Sequence, residues 1–292
     1  IQSTMIENDH RTRRTRTWLL APALVAVAVL LGIPVAMLIR TSFMPANGPS
    51  HAPGWSLRHY EAFFADPFYI AVLGKTLAAG LAVAALTAVA GFPLAYRLAR
   101  SGERARRLKM IILILPLSLS LVVNVFGWMV ILGRSGLVNA ALVGLGLFDR
   151  PAQLLFSWGS VVVVLAHTFL PFQVLAIMGV IVQIDPALEQ AAASLRASRW
   201  TVFRRVVIPM AFPGILAGST IVFMLTISAF VTPRVIGGTR VQMHGSLIYE
   251  QTLVVLNWPF GGAMSLILLA IVFAFVTGIN RLSRTRLSET KN

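Results

Sequence analysis

Residues 158–200 read WGSVVVVLAHTFLPFQVLAIMGVIVQIDPALEQAAASLRASRW. Two unlike pieces meet in this stretch. From Trp158 to Val182 nearly every side chain is apolar, over about the 20 residues that an α-helix needs to cross a bilayer. From Asp185 the chain turns polar and runs through alanines to Arg196 and Arg199. Asp185-Pro186 is a helix start, an N-cap aspartate followed by proline in the first helical position. The pattern predicts a short helix over 185–200, joined to a membrane segment at either end. Ala191, Ala192 and Ala193 leave little side-chain bulk on it, so another surface can come close. Two roles suit such a helix: a knob pressed into a partner's groove, and a surface helix lying on anionic lipid.

The rest of the chain is of the same kind. Of its 292 residues 57% are hydrophobic and 12% charged, against roughly 25% charged in a soluble domain. Its mean hydropathy is +0.79. This is the composition of an all-α polytopic membrane protein. Six runs read as transmembrane helices: 18–39, 76–96, 110–132, 158–182, 206–231 and 263–279. The first is too long for the apolar core of a signal peptide and lacks a clear cleavage site, so it reads as a retained span. Cysteine is absent, which excludes a disulfide framework, a thiolate metal site and a cysteine nucleophile.

A net charge of +15 would point to nucleic acid in a soluble protein. Here it has a simpler origin, because basic residues gather on the cytoplasmic side of a membrane. Arg11, Arg13, Arg14 and Arg16 crowd the N-terminal tail, 1–17. Arg97, Arg100, Arg104, Arg106, Arg107 and Lys109 follow the second span. Arg196, Arg199, Arg204 and Arg205 follow the fourth, and Arg281, Arg284, Arg286 and Lys291 fill the C-terminal tail, 280–292. Arg40, Arg58, Lys75, Arg134, Arg150, Arg234 and Arg240 are spread over the longer loops of the other side. Both termini and the 185–200 helix are therefore expected in the cytoplasm.

The outer loops differ in character. In the loop 40–75, Pro45, Gly48, Pro49, Pro53 and Gly54 argue for irregular chain, and the aromatics of WSLRHYEAFFADPFY suit a short helix at the interface. Residues 241–260 are amphipathic and too short to cross, and are expected to dip into protein-covered space. Gly214 and Gly218 stand at G-x-x-x-G spacing, and the second span is rich in alanine and glycine. Small faces of this kind let helix backbones approach in lipid. Pro209 and Pro213 in VVIPMAFPGI are expected to stop and restart the helix at the head of the fifth span.

Reactive clusters are lacking. The five histidines are scattered, none in an H-E-x-x-H pattern. The Gly74-Lys75-Thr76 echo of a phosphate loop lacks its first glycine, since Tyr69 stands there. All ten acidic residues lie outside the six spans, whereas intramembrane carboxylates mark proton relays and ion-driven carriers. Energy for any transport must then come from a partner. The polar residues within the third and fourth spans, Asn124, His167 and Gln173, are open to two readings: hydrogen bonds between helices, or the lining of a solute path.

The stretch LEQAAASLRASRWTVFRRVVIPMAFPGI resembles the cytoplasmic EAA loop of type I ABC-importer permeases. Their pattern is E-A-A, three residues, Gly, then a spaced I-x-L-P. Here Gln190-Ala191-Ala192 fills the first place, Arg196 stands where glycine is usual, and Ile208-Pro209 sits near the end. Similarity extends from about Trp55 to Ile279. LGRSGLVN and LNWPFG in particular resemble the spermidine/putrescine branch of these permeases. That branch often has Arg-Thr-Tyr-Ala-Trp where this chain has Asn124, Val125, Phe126, Gly127 and Trp128.

The resemblance implies a type I permease fold with its core at 76–279, in the bacterial inner membrane. It implies two ATPase subunits carrying ATP and Mg, a second and different permease chain, and a periplasmic solute-binding protein. The chain itself is expected to be no enzyme and to bind no metal or nucleic acid. By this resemblance the 185–200 helix couples to the ATPases through Glu189, Gln190, Ala191, Ala192, Arg196, Ala197 and Trp200. The substrate path is expected at Asn124, Trp128, His167, Gln173 and Thr232. A polyamine, putrescine or spermidine, is the implied solute. An amino-acid derivative, an opine, a phosphonate or an iron chelate stays open, as does a non-transporting scaffold that uses the same helix to hold a partner.

Overall fold

An apolar segment in lipid has no water to satisfy its backbone, so each N–H and C=O must be paired within the segment, and the chain is helical wherever it is greasy. The computed structural model describes residue 22, residues 25–45 and residues 55–289, with side chains through residue 279. The tail expected at 1–17, the start of the 18–39 span, residues 46–54 of the outer loop and the last residues of the C-terminal tail lie outside the described residues. The described residues contain no strand.

The helices are α1 Val25–Ser42, α2 Arg58–Ala65, α3 Pro67–Ala99, α4 Glu103–Ser118, α5 Leu121–Leu132, α6 Leu137–Gly144, α7 Trp158–Ile181, α8 Pro186–Ser194, α9 Arg199–Val202, α10 Ile208–Ile227, α11 His244–Tyr249 and α12 Trp258–Glu289. Among the described residues 6 helical segments are long and apolar enough to cross a membrane. Asp66 caps α3 by accepting from the Phe68 N–H at 2.8 Å. With 33 residues and a rise of about 1.5 Å per residue, α3 is about 50 Å long. It is longer than the roughly 30 Å of a hydrocarbon core.

Two expectations need correction. The run 110–132 is not one helix: α4 ends at Ser118, Leu119 is extended, and α5 begins at Leu121. Pro116 removes a backbone donor and crowds the preceding turn, and the chain breaks just after it. The apolar length is then made up by continuing through α6 to Gly144. Conversely, Pro209 and Pro213 do not stop the chain. Helix continues from Arg199 to Ile227. At Pro209 the Phe203–Val207 stretch widens into a π-helical turn, which gives room for the Arg205 carbonyl that the proline ring would otherwise strike; Pro213 sits within regular helix.

The bundle is built on α3, α7 and α10, which pack mutually. Glycines make the contact close. A Cβ at Gly80 would lie 2.8 Å from Phe223 and Ile227 of α10, and one at Gly214 would lie 3.1 Å from the Ile177 Cα of α7. Lipid tails are as apolar as leucine, so this intimacy, rather than burial from water, is what favours association. At the N-terminal end of α3, α2 is tied to the end of α1 by Tyr60, whose hydroxyl donates to Ser42 Oγ at 2.9 Å. The segment leading into α11 is buried there too. The His244 N–H donates to Thr76 Oγ1 at 2.9 Å, and His244 Nε2 donates to the Met264 carbonyl at 3.1 Å.

Candidate functional site

The helix expected over 185–200 is two helices with a tight turn between them. Asp185 caps α8, accepting from the Ala187 N–H at 2.8 Å, and Pro186 takes the first helical position. The helix ends at Ser194 because the backbone reverses at Arg196, which has φ +60°. The Arg196 N–H donates to the Ala193 carbonyl at 3.0 Å and the Ala197 N–H to the Ala192 carbonyl at 3.3 Å. Those two bonds make a Schellman cap, and its left-handed residue is the one that most favours glycine. Arg196 thus occupies the position in the turn for which its side chain is least suited. Ser198 then caps α9, accepting from the Thr201 N–H at 3.2 Å.

The residues singled out on this module part into two faces. Gln190, Ala191 and Arg196 are exposed, Ala192 and Ala197 are half-buried, and Trp200 is exposed while stacking on Phe203 at 5.9 Å between ring centroids. Leu188 and Leu195, which sequence reasoning passed over, also stand out from this surface, Leu195 at 85% exposure. Glu189 points the other way. Its Oε2 accepts from the Tyr96 hydroxyl at 2.7 Å and its Oε1 from Arg100 Nε at 2.9 Å. Arg100 Nη2 also reaches Glu189 Oε1, at 2.5 Å, and the Ile184 carbonyl at 3.1 Å. The signal for this contact was weak but present: Tyr96 and Arg100 are four apart at the end of α3, hence on one face, and with Asp185 committed to its cap Glu189 is the acid left near the arginines.

The five residues expected on a path do not form one site. Trp128 Nε1 donates to His167 Nδ1 at 3.2 Å, with the rings edge to face at 5.0 Å. One helical turn away Asn124 reaches Thr168 Oγ1 at 3.5 Å. All of these lie between α5 and α7, and Asn124, Trp128 and His167 stay partly exposed. Gln173 turns instead into the α7–α10 seam, where it is fully buried and donates from Nε2 to the Ile215 carbonyl at 3.1 Å. Thr232 is buried just before the turn Pro233–Gly237, which packs on α5 and α7. Among the described residues no group of acidic or histidine side chains is arranged to hold a metal ion.

Residues 88–289 match the family described as the binding-protein-dependent transport system inner membrane component. The chain belongs to this family. Among the relatives of this permease is the spermidine/putrescine transport system permease protein PotB of Salmonella typhimurium, 32% identical over 81% of this chain and 82% of that protein. PotB of Escherichia coli K12 is 32% identical over 81% and 86%. The molybdenum transport system permease protein ModB of Mycobacterium bovis is 27% identical over 90% and 92%. In fold, the permease is similar to a bacterial ABC transporter involved in the import of the polysaccharide alginate, with a TM-score of 0.71 at 21% identity, covering 95% of this chain and 99% of that one. The protein is accordingly a permease subunit of an ABC importer, a multi-pass protein of the inner membrane. It is a transport subunit and not an enzyme.

Proposed function

We propose that this permease forms part of the membrane path for a small polyamine, putrescine or spermidine, delivered by a periplasmic binding protein. The observation that carries this reading is the 32% identity to the PotB permeases over 81% of the chain. A second, different permease chain completes the path, and two ATPase subunits supply ATP and Mg on the cytoplasmic side. Both termini face the cytoplasm, in keeping with the arginines at the α8 end of the bundle. Residues 1–17 and 280–292 are then cytoplasmic tails, 18–39 the first span, 40–75 a periplasmic loop carrying α2, and 76–279 the transmembrane core.

In this reading the ATPases grip α8 and the turn after it through Gln190, Ala191, Ala192, Arg196, Ala197 and Trp200, with Glu189 acting from the inner face. When the ATPases close, α8 is displaced, and α7 and α10, covalently continuous with it, swing as rigid bodies. Asn124, Trp128 and His167 line the path, and Gln173 and Thr232 join it when the helices part. The spans hold no carboxylate, yet an ammonium group can rest on the face of Trp128 without one.

Proteoliposomes holding the complete transporter and its binding protein test the function. ATP-dependent uptake of labelled putrescine or spermidine is expected. Tight binding and uptake of another solute, with none of a polyamine, overturns the polyamine assignment, and absence of ATP-driven uptake of any solute that the binding protein holds favours the scaffold. Ala191→Arg, which adds bulk to the docking face, is expected to abolish ATPase assembly and uptake together.

A further inference from the structure

We propose that Glu189, with Tyr96 and Arg100, is an internal latch that makes α3 follow α8, and that its carboxylate is a positioning group rather than a contact for the ATPase. The proposal rests on the coupling role given to α8 above. The three helices of the core are not equally connected to that helix. The turn after Ile181 joins α8 to α7, and α9 with the widened Phe203–Val207 turn joins it to α10. No such covalent connection reaches α3.

Direct packing of α3 on α8 does not supply one either. The α8 backbone lies against α9 and the widened turn, while α3 and α8 are not a closely packed pair. A groove lies between them, lined by Tyr96, Arg97, Ala193, Ala197, Trp200 and Phe203. The Glu189 carboxylate bridges this groove. It accepts from the Tyr96 hydroxyl and from Nε and Nη2 of Arg100, and the same guanidinium holds the Ile184 carbonyl just before α8. The Arg100 and Glu189 side chains are only 20% and 17% exposed. On the far side of the Arg196 turn, Phe203 packs edge to face on Tyr96 at 5.6 Å and on Phe92 at 5.1 Å.

Charge suits this task for a physical reason. Apolar side chains slide over one another at little cost, because their attraction is not directional. A carboxylate held by a fork of donors resists both sliding and separation, and a shielded charge that loses its partner is left uncompensated. A displacement imposed on α8 is therefore carried into α3 and with it into the whole α3–α7–α10 core.

The chain has no cysteine, so paired spin labels at Arg97→Cys and Ser194→Cys report the α3–α8 distance directly in the assembled transporter. With the latch intact this distance stays the same between nucleotide-free and ATP-trapped states. In Glu189→Gln it is expected to broaden and to change with ATP. The ATPase subunits still co-purify with Glu189→Gln, while uptake falls about ten-fold or more, as follows from losing charge-assisted bonds. Tyr96→Phe removes one donor and falls between. The exchanged pair Arg100→Glu with Glu189→Arg recovers part of the uptake, which a general folding defect would not allow. Unchanged uptake and distances in Glu189→Gln overturn the latch, and so does loss of ATPase binding in that variant, which would make Glu189 a docking contact. If Ala191→Arg leaves assembly and uptake intact, the failure lies instead in the coupling role of α8.

Discussion

Gly218 on α10 lies against the Gln173 amide on α7 so closely that a Cβ at residue 218 would stand 2.9 Å from Gln173 Cδ and Nε2. The amide cannot retreat freely, since its Nε2 is committed to the Ile215 carbonyl. Gly218→Ala is expected to lower stability by about 1–3 kcal/mol through overpacking, read as a lower unfolding midpoint of the purified protein. Adding Gln173→Ser should recover most of the loss, because the two side chains then share the space. Gly127→Ala on α5, where nothing lies within 4 Å, is the control and should not lower the midpoint.

Arg196 holds φ +60°, a conformation that disfavours a residue with a Cβ by about 1 kcal/mol relative to glycine. Arg196→Gly should raise the unfolding midpoint by about 2–4 °C. Arg196→Val should do the opposite, since a β-branched side chain tolerates this region worse than arginine.

The Trp128–His167 pair can be separated from simple packing. Trp128→Phe keeps an aromatic ring against α7 but removes the donor to His167 Nδ1, leaving that nitrogen unsatisfied at about 1 kcal/mol or more. A solute path through this pair predicts a several-fold rise in the half-saturating concentration for uptake, with ATPase assembly intact. A purely structural role predicts a lower unfolding midpoint and unchanged solute dependence.

His244, outside the six spans, gives the protein a pH dependence of known sign. Burial pushes its imidazole below the ordinary histidine range, partly offset by the bond to the Met264 carbonyl. The neutral form is therefore the one that fits, and its stabilisation is complete above the unfolded value of about 6.5. As pH falls below that value the unfolded chain takes up the proton first, and stability declines toward the lower folded pKa. Midpoints measured at about pH 7.5 and about pH 5 should differ more in the parent than in His244→Gln, which can still donate to the same carbonyl.

How much of this was legible depends on the range of the interactions. The six spans and the position of α8 could be read from the chain because lipid forces every backbone bond to close within its own segment. Caps are equally local: Asp185-Pro186 announces the start of α8 with two residues. Even so, local rules misjudged the ends. Pro116 is followed by a helix break, whereas Pro209 is absorbed by a widened turn, and the two prolines look alike in the sequence.

The sequence by itself therefore determined the class of the protein, most of its helical segments and the start of α8, since apolar length and helix starts are properties of neighbouring residues. Only the tertiary structure decided which way the side chains face. Glu189 turns inward onto Tyr96 and Arg100, some 90 residues earlier in the chain, while Gln190 beside it turns out. Trp128 meets His167 across α5 and α7, and Gln173 leaves them for the seam at Gly218. In a solvent as apolar as the side chains themselves, hydropathy cannot distinguish the packed face of a span from its lipid face. That choice is made by shape, where glycines let two helices close, and by the few polar groups that must find one another.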